Sequence, residues 1–199
     1  MTYRRKDTHY RRARAAGYRA RSAYKLADLD ARFRLLRRGD FVVDLGAWPG
    51  GWLQVALERV GPEGRIVAVD LAAIDPLPAE NVALVTGDVR DPATSRAVLA
   101  HLQRPADVVL SDLAPKLTGV RDTDHARSAE LVEATLGVLP TLLRPGGRLL
   151  MKLFMSEAYP ETLKQLRMCF ADVRTTRPEA TRPGSAELYA VGREHRDLG

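Results

Sequence analysis

The chain has 199 residues, 45% of them hydrophobic and 28% charged, a balance that gives one globular domain with a buried core and excludes a disordered tail. Apolar runs such as Val108-Val109-Leu110 are too short to cross a bilayer, and the basic start MTYRRKDTHY has no apolar stretch behind it to act as a secretory signal. The formal charge is +6 and uneven: residues 1–40 hold 13 Lys/Arg against 4 Asp/Glu, so the remaining 159 are slightly acidic.

The first twenty residues read as a basic extension in which Arg11, Arg12, Arg14 and Arg19 alternate with Tyr3, Tyr10 and Tyr18, followed closely by Arg21. Guanidinium forks pair with phosphates and tyrosine rings stack on unpaired bases, so this arm is expected to contact RNA through Arg11, Arg12, Arg14, Arg19 and Arg21. Residues 21–199 are expected to form a single domain. Apolar residues at helical spacing predict a helix over 20–36. FVVDLG (41–46) predicts a buried strand, and AWPGG turns into a helix over 52–60. Further strands are predicted at 65–71, 81–88, 106–112 and 146–154, with helices at 91–103, 125–143 and 157–168. Residues 114–124 read as a polar loop, Pro140 as a kink or early stop, and Gly146-Gly147 as the turn after a helix. Strands at 169–177 and 186–194 close the chain. Strands alternating with helices make an α/β fold, doubly wound around a mostly parallel sheet.

In such sheets ligands bind at the carboxyl ends of the strands. Here Asp44, Asp70, Asp88 and Asp112 stand at or near four of those ends, and Gly46, Gly50 and Gly51 shape the first turn. The spacing G-x-x-x-G-G is not the G-x-G-x-x-G of dinucleotide enzymes, and Pro49 removes an amide that a pyrophosphate would use. That argues against a nicotinamide-dependent oxidoreductase. S-adenosylmethionine suits the site better, having ribose hydroxyls, an adenine amino group and a sulfonium cation but no pyrophosphate. Cys169 excludes an internal disulfide, and no Cys/His cluster has zinc spacing, so no metal is expected. His9, His101, His125 and His195 are scattered and are expected on the surface. No nucleophile elbow or phosphate loop is present to anchor a hydrolase or a nucleotide triphosphatase.

RSAYKL (21–26), VVDLGAWPGGW (42–52), GDVRD (87–91), SDLAP (111–115), MKLF (151–154) and SAELY (185–189) together resemble the FtsJ-type ribose 2′-O-methyltransferases, from about Arg21 to Arg193. The resemblance implies the Rossmann-like sheet of class I S-adenosylmethionine-dependent methyltransferases. It also implies a catalytic tetrad of Lys25, Asp112, Lys152 and Glu187, with cofactor contacts at Gly50, Trp52, Asp70, Asp88 and Asp112. The implied reaction is 2′-O-methylation of a uridine in large-subunit ribosomal RNA by a cytoplasmic monomer. Two positions depart from the family's pattern. Trp48 stands in the glycine turn, set either against the methionine moiety or into the core, and Lys116 replaces an Asn.

A ribose hydroxyl must lose its proton as it attacks a methyl group, and a free lysine is charged at neutral pH. A second ammonium and desolvation both favour the neutral amine. Lys152, in the apolar strand RLLMKLF, is therefore expected to be the base. Lys25 would keep it neutral and hold the ribose, Asp112 would orient it, and Glu187 would position Lys25 or the hydroxyl. The alternatives are a transfer-RNA enzyme of the same family, suggested by RSAYKL, and a non-catalytic ribosome-assembly factor on the same fold.

Overall fold

The computed structural model describes residues 13, 15–115, 118–178, 181 and 185–197. Arg11, Arg12, Arg14, His9 and Lys116, all named above, lie outside them. Helix α1 spans Ser22–Phe33, then β1 Phe41–Leu45, α2 Gly51–Val60, β2 Arg65–Asp70, β3 Val82–Thr86, α3 Pro92–Leu102 and β4 Ala106–Ser111. They are followed by α4 Arg121–Leu142, β5 Leu143–Phe154, α5 Tyr159–Cys169, β6 Phe170–Thr176 and β7 Glu187–His195. One seven-stranded sheet runs in the order β3-β2-β1-β4-β5-β7-β6. β1 to β5 are mutually parallel, and β7 is antiparallel to both β5 and β6. The doubly wound, mostly parallel sheet is as the sequence implies.

Alternation along the central strands divides the core. Val42, Ile66, Val108, Leu110, Leu150 and Val191 face α1 and α2. Val43, Val67, Val109, Leu149, Met151 and Ala190 face the side where Val98 of α3, Leu139 of α4 and Leu166 of α5 pack. This two-sided burial is why these strands read as near-continuous apolar runs.

Several boundaries move. α1 stops at Phe33 because Arg34 turns left-handed at φ 50° and its N–H bonds to Asp30 O at 2.7 Å. α4 begins at Arg121, inside the expected polar loop, and passes through Pro140 to Leu142 without stopping there. Pro140 lies in the last turn, where it forfeits the single bond its N–H would make to Leu136 O, and the helix ends two residues later. Gly146-Gly147 is part of β5 rather than a turn before it: between the pairs Ala106–Leu143 and Val108–Arg148 the strand bulges outward, with Gly146 at φ 72°. His195 is not on the surface. It is buried against Phe170, with ring centroids 5.2 Å apart, and burial pushes its pKa down.

Beneath the sheet's amino edge, Arg148 and Asp40 form a buried pair at 2.8 Å, and Asp40 also accepts from Arg37 N at 2.7 Å. Removing one member of a buried pair leaves the other charge without its counterpart, at a cost of about 3–5 kcal/mol. Asp40→Ala is therefore expected to destabilise the chain by about that much in urea unfolding; a loss below about 1 kcal/mol would show that the pair contributes little.

Candidate active site

The strand order switches at β1: the chain moves outward to β2 and β3, then returns to place β4 on the other side of β1. A cavity of about 320 Å³ lies at the carboxyl ends of these strands, within the range of small-molecule sites. Gly46 lines it at φ 77°, and a Cβ there would stand 3.0 Å from Leu113 N, so a larger residue would push the ends of β1 and β4 apart. Asp70 takes one carboxylate oxygen to Trp48 N and the other to Ala72 N, each at 2.9 Å, which fixes the turn against the end of β2.

Asp70, Asp88 and Asp112 all line this cavity. Gly50 and the Trp52 side chain lie off its walls. Gly50, at φ 105°, packs under Arg19, whose Nη1 would be 2.9 Å from a Cβ at that position. Trp52 is 2% exposed, and its indole N–H donates to Ser22 O at 2.9 Å. The first amides of α2, at Gly51 and Trp52, lack partners within the helix. Trp48 is 59% exposed and lines the cavity, so the core alternative for it falls. Asp88 holds Arg90 in a two-point contact, Nε–Oδ1 3.0 Å and Nη2–Oδ2 2.6 Å, and these hydrogen bonds keep its carboxyl below the usual range.

Beside these carboxylates lies Asp44, on β1. It is completely buried, and neither of its side-chain oxygens has a hydrogen-bond partner. Burial, reinforced by the charges of Asp112 and Asp70, pushes its pKa well above the ordinary value. The folded chain therefore favours the neutral acid there, with hydrogen-bonding capacity unused.

The four tetrad positions come together at the same edge, on the other side of Asp112. Lys152 Nζ pairs with Asp112 Oδ1 at 2.7 Å and reaches Asp112 O at 3.3 Å. Lys25, from α1, pairs with Glu187 at the start of β7. The four side chains are only 7–17% exposed. Tyr189 joins the two pairs. Its hydroxyl donates to Asp112 Oδ1 at 2.9 Å, its ring lies 5.8 Å beneath Lys25 Nζ, and it stands opposite Lys152 in the β5–β7 register. Burial, with the Asp112 and Glu187 carboxylates adding to it, pushes the phenol well above its ordinary pKa, so Tyr189 remains a donor. The sequence reading passed over Tyr189. Its signal was position: two residues after Glu187 on a strand, it had to share that face.

Residues 18–195 match the FtsJ-like methyltransferase family. The chain belongs to that family. The protein is 46% identical over 191 residues to the "Ribosomal RNA large subunit methyltransferase E" of Methanothermobacter thermautotrophicus, covering 96% of this chain and 90% of that one. The Azoarcus sp. protein of the same name is also 46% identical, over 94% of this chain and 90% of its own length. Among solved structures, a protein described as a ribosomal RNA methyltransferase from Plasmodium falciparum superposes with a TM-score of 0.81 at 28% identity, covering 89% of this chain and 98% of that one. Aeropyrum pernix fibrillarin, with S-adenosyl-L-methionine natively bound in its crystal, shares the fold at a TM-score of 0.63 and 19% identity, over 88% of this chain and 75% of that one.

In this FtsJ-like methyltransferase the described end of the basic arm lies against α2. Tyr18 donates to Glu58 at 3.0 Å, and Arg19 N donates to Gln54 Oε1 at 2.8 Å. The Arg19 guanidinium bonds to the carbonyls of Asp75 and Pro76, which ties the arm to the loop after β2. Among the described residues no helix is long and apolar enough to cross a membrane.

Two predictions follow from these placements. Below pH about 3.9 Asp44 is protonated whether folded or unfolded; above it the unfolded chain releases the proton while the folded chain holds it, up to the raised pKa. Across that window the wild type loses about 1.4 kcal/mol of stability per pH unit through this group, and Asp44→Asn abolishes that loss. Urea unfolding of the cofactor-free chain should show the variant's advantage growing as the pH rises above about 4; a pH-independent difference would contradict the assignment. Tyr189→Phe keeps the ring but removes the bond to Asp112. It should slow methyl transfer several-fold with unchanged far-UV circular dichroism; wild-type turnover would leave the hydroxyl without a part in the site.

Proposed function

We propose that this methyltransferase moves a methyl group from S-adenosylmethionine to the ribose 2′-hydroxyl of a uridine in large-subunit ribosomal RNA, with Lys152 as general base. The observation that carries the reading is the Lys152–Asp112 pair, because Asp112 both lines the cavity and holds the lysine beside it. The names of the relatives support the substrate class. The residues suit the cofactor: a crevice lined by three carboxylates fits a ligand bearing two cationic groups and ribose hydroxyls. Asp70, Asp88 and Asp112 would hold it, together with the main chain of the Gly50-Gly51-Trp52 turn. When bound, S-adenosylmethionine supplies a methyl on a sulfonium and leaves as the neutral thioether.

The chain's own residues then have distinct tasks. RNA covering the edge expels water, which disfavours charged ammonium groups. Lys152 Nζ takes the 2′-hydroxyl proton while the oxygen forms its bond to the methyl carbon. Asp112 keeps Nζ on the cavity side and neutralises the ammonium that results. Lys25, anchored by Glu187, faces the ribose with a second positive charge, and Tyr189 fixes the two pairs relative to each other. Proton removal by a placed base contributes about 10²–10⁴ in rate; holding the hydroxyl in line with the methyl supplies much of the rest.

The test is transfer of labelled methyl to large ribosomal subunits and, separately, to bulk transfer RNA, both from cells lacking this protein. The expected product is a 2′-O-methyluridine in the large subunit, and label in transfer RNA alone would overturn the substrate. Cofactor binding without transfer to either would favour an assembly factor. Lys152→Ala should lower single-turnover transfer at least ~10²-fold and leave S-adenosylmethionine affinity within about twofold; retained turnover would remove Lys152 as the base.

A further inference from the structure

At the end of the sheet away from the cofactor crevice, a second cavity of about 330 Å³ opens where α1 ends, β5 begins and β7 ends. Six arginines line it, and Glu194 is its only carboxylate. Three of the six are at least partly neutralised. Arg148 pairs with Asp40, Arg32 reaches Asp28 at 3.4 Å, and Arg144 shares Asp107 with Arg104, at 2.6 and 2.7 Å. Although burial opposes it, hydrogen bonds from Arg104, Phe41 N and Arg144 hold Asp107 down at about 2, so this carboxylate stays charged and fully used. Arg193 donates to the Phe33 carbonyl. Arg34 and Arg37, both exposed, make no side-chain hydrogen bond or ion pair among the described residues.

Arg34 adds a second observation. It occupies the left-handed C-cap of α1 at φ 50°, a conformation strained for an L residue and usually given to glycine. That conformation adds an exposed arginine to the lining of a concave surface that already has few carboxylates. Guanidinium forks match the oxygens of phosphate and carboxylate groups, so a surface lined by several of them suits an anion. Arg148 and Lys152 are four residues apart on β5, about 13 Å at ~3.3 Å per residue. A ligand engaging both ends is therefore an extended polyanion and not a mononucleotide.

We infer that this arginine-lined cavity is a second RNA contact, seating backbone phosphates of the same RNA whose target ribose lies at the Lys152 edge. The inference rests on the reading above that large-subunit RNA is the substrate. Arg34→Glu/Arg37→Glu and the milder Arg34→Gln/Arg37→Gln leave the tetrad and the cofactor crevice untouched. Binding to large-subunit RNA is measured between 50 and 300 mM salt, together with KM and kcat for methyl transfer, S-adenosylmethionine affinity and thermal midpoint. The charge-reversed variant should bind RNA at least ~10-fold more weakly, with the slope of log K against log salt shallower by roughly 1.4 to 1.8, as expected for two lost phosphate contacts. The glutamine variant should fall between it and wild type. KM for RNA should rise while kcat and cofactor affinity hold. An unchanged salt slope in both variants overturns the proposal even if affinity falls. Tight binding of tripolyphosphate that both variants abolish, with wild-type RNA affinity retained, overturns it in favour of a small polyphosphate ligand. Absence of methyl transfer by the wild-type chain on the same RNA counts against the substrate reading; wild-type transfer with an unaltered variant KM and slope counts against this cavity alone.

Discussion

Two lysine ammonium groups sit almost out of water at one edge of this sheet, and that burial is the constraint the site is built around. Desolvating an ammonium costs several kcal/mol unless an opposite charge and further hydrogen bonds compensate. Each lysine is therefore given a carboxylate from a different element: Glu187 of β7 for Lys25 of α1, and Asp112 after β4 for Lys152 of β5. The two pairs fasten a covering helix and three strand ends together. Tyr189, itself fully buried, bridges them by donating to one carboxylate and placing its ring under the opposite lysine.

The antiparallel placement of β7 is what makes this possible. In the parallel strands only the carboxyl ends reach the functional edge. β7 runs the other way, so its first residues arrive there, with Glu187 opposite Phe154 and Tyr189 opposite Lys152. A parallel seventh strand would deliver its far end instead and leave Lys25 without its partner. The cofactor side depends on the same edge through Asp112, whose N–H bonds to Leu45 O at 3.0 Å and so locks the end of β4 to the end of β1. Asp44 and the Asp70–Trp48 contact lie just beneath or beside this junction, so the cavity and the Lys152–Asp112 pair share one corner of the sheet.

Much of this was legible in the chain itself. The strands could be read because burial on both faces leaves unbroken apolar runs, and Lys152 stood out because it interrupts one of them. Asp70, Asp88 and Asp112 were visible as carboxylates following strands. The misreadings have physical causes. His195 looked exposed beside Arg196, but the β6–β7 pairing sets it on Phe170. The basic end cavity was hidden because Arg34 and Arg37 stand at the end of the predicted first helix, while Arg144, Arg148 and Arg193 come from the near-neutral body. Only the sheet brings them together.

If the two ion pairs and Tyr189 work as one unit, their contributions to methyl transfer are not separable. The most direct measurement is a double-mutant cycle on Lys25→Ala and Lys152→Ala, read as single-turnover methyl transfer to large-subunit RNA at saturating cofactor. The account predicts strong non-additivity, the double variant being little slower than the slower single variant. Losses that multiply would mean that the lysines act independently, and would contradict it.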